Sequence, residues 1–126
     1  MREEIKLLLE RGKYFFELAK KSEKDKQYEM AMFCLEQAIQ LIVKAKLLDL
    51  TGFFEKTHKL SKLLHDLSKV MKKRDIKEVV SQYKRTIAEL ERAYISSRYL
   101  PETFDKESVE KAKELYQKLI GLLWKS

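Results

Sequence analysis

The residue best suited to bind a phosphate group is Arg98, which stands close to Tyr94, Tyr99 and Pro101. We expect this segment to be the longest connection between helices, where a rigid turn could present the guanidinium to phosphate oxygens. The alternative is a structural arginine that binds the carbonyl groups at the end of the preceding helix. Tyr99 joins Arg98 as a candidate contact for RNA or a nucleotide.

Two histidines, His58 and His65, stand seven residues apart, which is too far for both to bind one metal ion easily. The single cysteine, Cys34, lies on the apolar side of a predicted helix, where a buried small side chain is expected rather than a nucleophile. The sequence therefore predicts no metal site and no cofactor. A catalytic role for His58 would require the fold, or a dimer, to bring Arg98 near it.

Lys44 lies among apolar neighbours on a predicted helix, with Gln37 two turns earlier on the same side. Polar groups inside a helical bundle need partners, so these two could bind across a dimer interface or line a polar pocket. In the alternative interpretation the ammonium group of Lys44 simply extends to solvent.

Most of the net charge of +7 is concentrated between Lys56 and Lys77, where eight basic residues stand against two acidic ones. On a helix, four of these residues would share one face: Lys59, Lys62, Lys69 and Lys73. Such a face can bind a polyanion such as RNA. It can equally be an ordinary solvated surface, since no aromatic residue lies among the lysines to stack on a base.

The composition predicts a single all-α domain over residues 1–126. Glycine and proline together supply only four residues, so turn-rich β folds and glycine-rich phosphate loops are excluded. The apolar runs are too short to cross a bilayer, and Met1 is not followed by the apolar stretch of a signal peptide. One cysteine fits a reducing cytoplasm, and the absence of asparagine with abundant lysine and glutamate is associated with high-temperature life.

Apolar residues recur at steps of three and four in five segments, which predicts five helices. The expected helices cover residues 5–19, about 28–50, about 57–74, about 75–97 and 106–123, with Thr57 and Asp105 as N-caps and Gly52 ending the second. Short connections favour antiparallel neighbours and hence an up-and-down bundle. The second helix is apolar on two faces, so we expect it to be central and to need a second subunit, which predicts a homodimer.

Three patches resemble the HEPN family of small prokaryotic helical proteins. They are Glu36-Gln37-Ala38 followed by Lys44-Ala45, then Thr57-His58 with Leu60, Leu63 and Leu64, then Ala93-Tyr94 followed by Ser97-Arg98-Tyr99 and Pro101. The resemblance covers essentially the whole chain and implies a bundle of four or five helices that commonly pairs as a homodimer. It also implies nucleotide- or RNA-linked biology, since many relatives are toxins whose partner is a minimal nucleotidyltransferase.

Other members of that family are metal-independent endoribonucleases with an arginine followed, after four to six residues, by a histidine. In that pattern the arginine would hold the scissile phosphate and the histidine would move protons near neutral pH. Arg98 matches the arginine, but Phe104 and Asp105 stand where the histidine is required. His58 matches a histidine that recurs in the family, as a hydrogen-bonding residue at a helix start.

We therefore expect a cytoplasmic homodimer that binds RNA or a nucleotide, acts as the toxin-like partner of a minimal nucleotidyltransferase, and cleaves RNA weakly or not at all. One alternative is an active ribonuclease with an unusual site built from Arg98, His58 and Tyr99. Another is a structural adaptor without a nucleic-acid role, whose basic stripe is mere surface.

Overall fold

The computed structural model describes residues 2–99 and 103–124, apart from the side chains of residues 97–99. The regular structure in these ranges is entirely α-helical, which confirms the predicted fold class. The helices are α1 (Glu3–Lys24), α2 (Tyr28–Thr51), α3 (Leu60–Met71), α4 (Arg74–Gln82), α5 (Lys84–Tyr99) and α6 (Lys106–Leu123). The described residues thus form six helices, and the predicted number of five is wrong.

The additional helix arises because the predicted fourth helix is interrupted at Tyr83. The backbone of this residue, at φ −105° and ψ 23°, departs from helical values. Its ring is buried, and its hydroxyl group contacts Glu114 Oε1 of α6 at 3.2 Å. Because buried residues continue at steps of three and four across the interruption, and no glycine or proline marks it, the sequence pattern did not reveal it.

Helices α1 and α2 form an antiparallel hairpin. Near the start of α1 the Arg2 guanidinium donates to the Leu48 carbonyl at 2.9 Å. Halfway along, a Cβ atom on Gly12 would lie 3.0 Å from Ile42 Cγ2 and 3.3 Å from the Ala38 carbonyl oxygen. The backbones of α1 and α2 therefore approach closely where α1 carries a glycine.

Helix α2 is the centre of the molecule, as predicted. Twelve of its 24 residues are buried, and helices α1, α3, α5 and α6 of the same chain pack against it. Its two apolar faces are thus covered without a second subunit. The apolar faces of α2 therefore do not require a homodimer, and the prediction of a homodimer needs other support.

Helix α3 runs parallel to α2, contrary to the predicted up-and-down order. At its start the Gln40 side-chain amide donates to the His58 carbonyl at 3.0 Å, and at its end Val70 lines a groove together with Thr51. The connection 52–59 therefore runs back along α2. An extended chain advances about 3.3 Å per residue against about 1.5 Å in a helix, so this short segment can retrace three turns of α2.

Helix α6 begins as predicted. The Asp105 carboxylate accepts a hydrogen bond from the Ser108 amide at 2.9 Å, so Asp105 is the N-cap. By contrast, Thr57 is not the N-cap of α3. The helix begins three residues later at Leu60, and the Thr57 hydroxyl accepts from the Lys59 amide in a turn that precedes it.

Candidate functional site

The four lysines of the predicted basic stripe do not share one helical face. Helix α3 ends at Met71, where Lys72 takes a left-handed conformation, and Lys73 becomes the N-cap of α4. Lys59 precedes α3 as its N-cap residue. Only Lys62 and Lys69 lie within α3, because this helix begins later and ends earlier than the amphipathic sequence pattern predicts.

The lysines of this stripe also differ in their charge partners. Lys62 Nζ lies 2.9 Å from Asp66 and 3.3 Å from Glu55, so its charge is already compensated. No carboxylate among the described residues pairs with Lys59, Lys69 or Lys73. These three exposed lysines are therefore the part of the stripe that can attract an anion.

A buried polar cluster lies at the middle of α2. Glu36 is completely buried, and its carboxylate accepts hydrogen bonds from the side-chain amides of Gln37, at 2.8 Å, and Gln40. Burial raises the pKa of Glu36 to about 7, although both amides and the nearby Lys44 lower it. At neutral pH this carboxyl group therefore exists in both charge states.

Lys44 interacts electrostatically with this cluster from the same helix. It is partly buried, and its Nζ atom lies 5.5 Å from the centroid of the Phe54 ring. Burial lowers the pKa of Lys44, and the carboxylate of Glu36 opposes that effect. Lys44 and Glu36 thus interact electrostatically along α2, and the role of Lys44 in a polar pocket or a dimer interface stays a prediction.

The connection 52–59 carries His58 to helix α5. The imidazole ring stacks on the ring of Tyr94, with 4.8 Å between centroids and 18° between planes. The ring of Tyr94 also stacks with the ring of Phe33 of α2, with 6.2 Å between the centroids. His58 is therefore positioned by an aromatic contact and by the hydrogen bond from Gln40 to its carbonyl group.

Arg98 and Tyr99 belong to the last turn of α5, not to the following connection as predicted. Their side chains lie outside the described residues, so their proposed contacts stay predictions. Arg98 follows Tyr94 by one helical turn. The fold thus brings His58 to the segment of α5 that carries Arg98.

Helix α5 also caps α3. The Glu91 carboxylate accepts hydrogen bonds from the Ser61 amide at 2.8 Å and the Ser61 hydroxyl at 2.7 Å. A carboxylate at a helix N-terminus stabilises the unpaired amides and the positive end of the helix dipole. Sequence analysis assigned no role to Glu91, because its partner lies 30 residues away.

Sequence analysis also missed Gln40 and the burial of Glu36. A signal was present, because Glu36, Gln40 and Lys44 follow one another at steps of four and so share one side of the helix. The Cys34 thiol is buried, and burial raises its pKa, which disfavours a nucleophilic thiolate. Within the described ranges, no three His, Cys, Asp or Glu residues are grouped to hold a metal ion.

Comparison with known families agrees with this helical architecture. The family model described as "HEPN domain" matches residues 5–125. The chain belongs to the HEPN family. No curated protein matches this HEPN chain. In the part of the chain that the structure describes, no helix is long and apolar enough to span a membrane.

Proposed function

We propose that this HEPN protein is an RNA- or nucleotide-binding module that acts as the toxin-like partner of a minimal nucleotidyltransferase in the cytoplasm. It cleaves RNA weakly or not at all. The observation that carries the proposal is that Lys59, Lys69 and Lys73 are exposed and that no ion pair within the described ranges involves them, on a protein whose family is linked to nucleotides and RNA.

The three lysines suit a phosphate backbone because no carboxylate of the described residues pairs with them. A polyanion that binds them releases its own counterions, so binding weakens as salt is added. Lys62 contributes less, since a phosphate would have to displace Glu55 and Asp66. Arg98, Tyr99 and Lys44 remain the proposed contacts on the side of the molecule where His58 lies.

Titration of a labelled single-stranded RNA over a series of salt concentrations tests this proposal. Replacing Lys59, Lys69 and Lys73 together with glutamine should weaken binding and reduce the slope of log affinity against log salt by about 2, at about 0.7 per phosphate contact. Lys62→Gln is the control within the stripe and should change the slope less than a single substitution of Lys59, Lys69 or Lys73 does. If the triple variant binds RNA as the wild type does, the binding site lies elsewhere, toward Arg98. If the wild-type protein binds no RNA at low salt, the result favours a structural adaptor without a nucleic-acid role.

The homodimer rests on apolar surface that the chain leaves uncovered. Met30 and Ile95 are 43% and 54% exposed. Met30 precedes Phe33 by about one turn of α2, Ile95 follows Tyr94 in the sequence of α5, and the rings of Phe33 and Tyr94 contact each other. A second copy could cover this surface and place two His58–Arg98 regions side by side. Light scattering should give a dimer mass that Ile95→Glu reduces to a monomer mass, and a monomeric wild-type protein at micromolar concentration would refute the homodimer.

The nucleotidyltransferase partner is tested by gene neighbourhood and by copurification. We expect a gene for a small nucleotidyltransferase next to this one, and a stable complex when both are expressed together. Lack of both would leave RNA binding as the function and remove the toxin–antitoxin assignment.

One observation favours an active ribonuclease as a second candidate. His58 stacks on Tyr94, one helical turn before Arg98, so the two candidate catalytic residues belong to one region of the fold. An arginine that holds a phosphate and a histidine that transfers a proton are the minimal parts of such a site.

A further inference from the structure

A groove of about 610 Å³ lies where the end of α2, the connection 52–59 and α3 meet. We call this surface the Phe53 face, and its apolar lining consists of Leu47, Phe53, Phe54 and Val70. Phe53 is 68% exposed, more than any other large apolar side chain of the described residues. Its backbone amide donates to the Thr51 hydroxyl at 3.2 Å, directly after the left-handed Gly52, so a fixed turn presents the ring. A preorganised aromatic ring beside an apolar groove is typical of a protein-binding surface.

The charged residues of the Phe53 face have both signs. The carboxylates of Glu55 and Asp66 share one ammonium group, that of Lys62, at 3.3 and 2.9 Å, so a net negative charge remains there. Lys69 follows Asp66 by about one turn of α3, and no carboxylate of the described residues pairs with it. The charge therefore changes sign along the groove, which matches a surface with the same two charges in the opposite order.

We propose that the Phe53 face binds the same face of a second copy of the chain across a two-fold axis. In such a contact the same patch of both copies is used, and each residue meets its counterpart's neighbour reciprocally. An antiparallel arrangement places Phe53 of each copy in the apolar groove of the other. It also places Lys69 of each copy against Asp66 of the other, so the charges are complementary.

This contact is separate from the homodimer proposed on Met30 and Ile95. Met30 stands at the other end of α2 from Thr51, about 30 Å away at about 1.5 Å per residue. The contact covers Lys69, one of the lysines proposed to bind RNA. Resting on that proposed function, we infer that self-association through the Phe53 face and RNA binding at Lys69 exclude each other.

Sedimentation of the Ile95→Glu variant isolates the Phe53 face. This variant should be monomeric at micromolar concentration and dimeric toward about 1 mM, because a contact of this limited size is weak. Adding Phe53→Ser should weaken the dimer at least about tenfold, since an aromatic anchor is lost. Adding Tyr14→Ser is the matched control, because this ring on α1 is 65% exposed, and it should change nothing. A monomer at every concentration, or equal effects of the two serine substitutions, would overturn the contact.

A charge exchange tests the two-fold arrangement. In the Ile95→Glu background, Lys69→Glu and Asp66→Lys should each weaken self-association, because like charges then face each other. Mixing the two variants restores both pairs of opposite charge, so a heterodimer should form that neither variant forms alone. Absence of that heterodimer, with the circular dichroism spectra of both variants unchanged, would overturn the arrangement.

Labelled single-stranded RNA then separates this inference from the proposed function. RNA should convert the dimer of the Ile95→Glu variant to a monomer, and RNA bound to an intact dimer would overturn the exclusion. A protein that binds no RNA but still loses its dimer in Phe53→Ser would overturn RNA binding and keep the contact. A micromolar dimer that survives Ile95→Glu and is lost in Phe53→Ser would keep the contact and overturn the homodimer on Met30 and Ile95.

Discussion

The side-chain amide of Gln40 donates a hydrogen bond to the backbone carbonyl of His58 at 3.0 Å. The same amide nitrogen also donates to the buried carboxyl group of Glu36. Because both of its hydrogen atoms are used, Gln40 fastens the connection 52–59 to the centre of α2. The position of His58 on Tyr94 depends on this attachment.

Gln40→Met should therefore release the connection. It removes the donor to Glu36 Oε2 and to the His58 carbonyl, at a cost of about 1–3 kcal/mol in the free energy of unfolding. Amide hydrogen exchange of Thr57 and Lys59 should become faster. Gln37→Met is the matched control, because Gln37 donates to Glu36 but not to the connection, and it should leave that exchange unchanged. Equal exchange in both variants would show that the connection is held by other contacts.

The fold class and the central helix could be predicted from the sequence because the apolar steps of three and four are local. Asp105 as the N-cap of α6 was predictable for the same reason. The split at Tyr83 and the parallel course of α3 were not predictable, since both depend on tertiary contacts with α6 and α2.

The candidate site was predicted only in part, for a related reason. The charge of the lysines is visible in the sequence, but their pairing is not, because Glu55 reaches Lys62 through the folded connection 52–59. The approach of His58 to α5 likewise depends on how that connection runs. Sequence analysis therefore identified the residue types and missed the geometry that joins them.

The raised pKa of Glu36 predicts that stability depends on pH. Burial raises its pKa from 4.5 to about 7 in the folded protein, whereas the unfolded chain keeps an ordinary carboxyl group. Between these values the folded state binds the proton more tightly, so the stability contributed by this group is full below pH 4.5 and is lost as pH rises to about 7. The loss amounts to roughly 3 kcal/mol.

Glu36→Gln isolates this effect from other titrating groups, including the nearby Lys44 and Glu91. The glutamine stays neutral at every pH, and its carbonyl oxygen can still accept from Gln40. The difference in unfolding free energy between Glu36→Gln and wild type should increasingly favour the variant from pH 5 to pH 8, as measured by urea denaturation. A difference that does not change with pH would mean that Glu36 titrates normally.

The two helical glycines Gly12 and Gly121 should respond in opposite directions to alanine. A Cβ atom on Gly12 would lie 3.0 Å from Ile42 Cγ2, whereas one on Gly121 would meet nothing within 4 Å. Overpacking between α1 and α2 should exceed the gain in helix propensity, so Gly12→Ala should cost about 1–2 kcal/mol. Gly121→Ala should stabilise by up to about 1 kcal/mol. Chemical denaturation measures both, and a stabilised Gly12→Ala variant would show that Ile42 can move aside.

The last prediction concerns RNA cleavage, which we expect to be weak or absent. A metal-independent ribonuclease needs one group to accept the 2′-hydroxyl proton and another to protonate the leaving oxygen. His58 can supply one of them. Asp105 is poorly suited to supply the other, because hydrogen bonds from Ser108 lower its pKa and make it a weaker base. Glu36 titrates near neutrality but is completely buried, so a substrate cannot reach it.

Purified protein incubated with RNA in the presence of a chelator measures this directly. Arg98→Ala should reduce RNA binding more than it reduces any residual turnover, because the arginine would bind phosphate in the absence of a complete pair of proton-transfer groups. Tyr94→Ala removes the ring on which His58 stacks and tests whether that contact matters for cleavage. Robust cleavage by the wild type that is lost in both His58→Ala and Tyr94→Ala would refute the binding-module assignment. It would then establish His58 as a catalytic residue that Tyr94 holds in place.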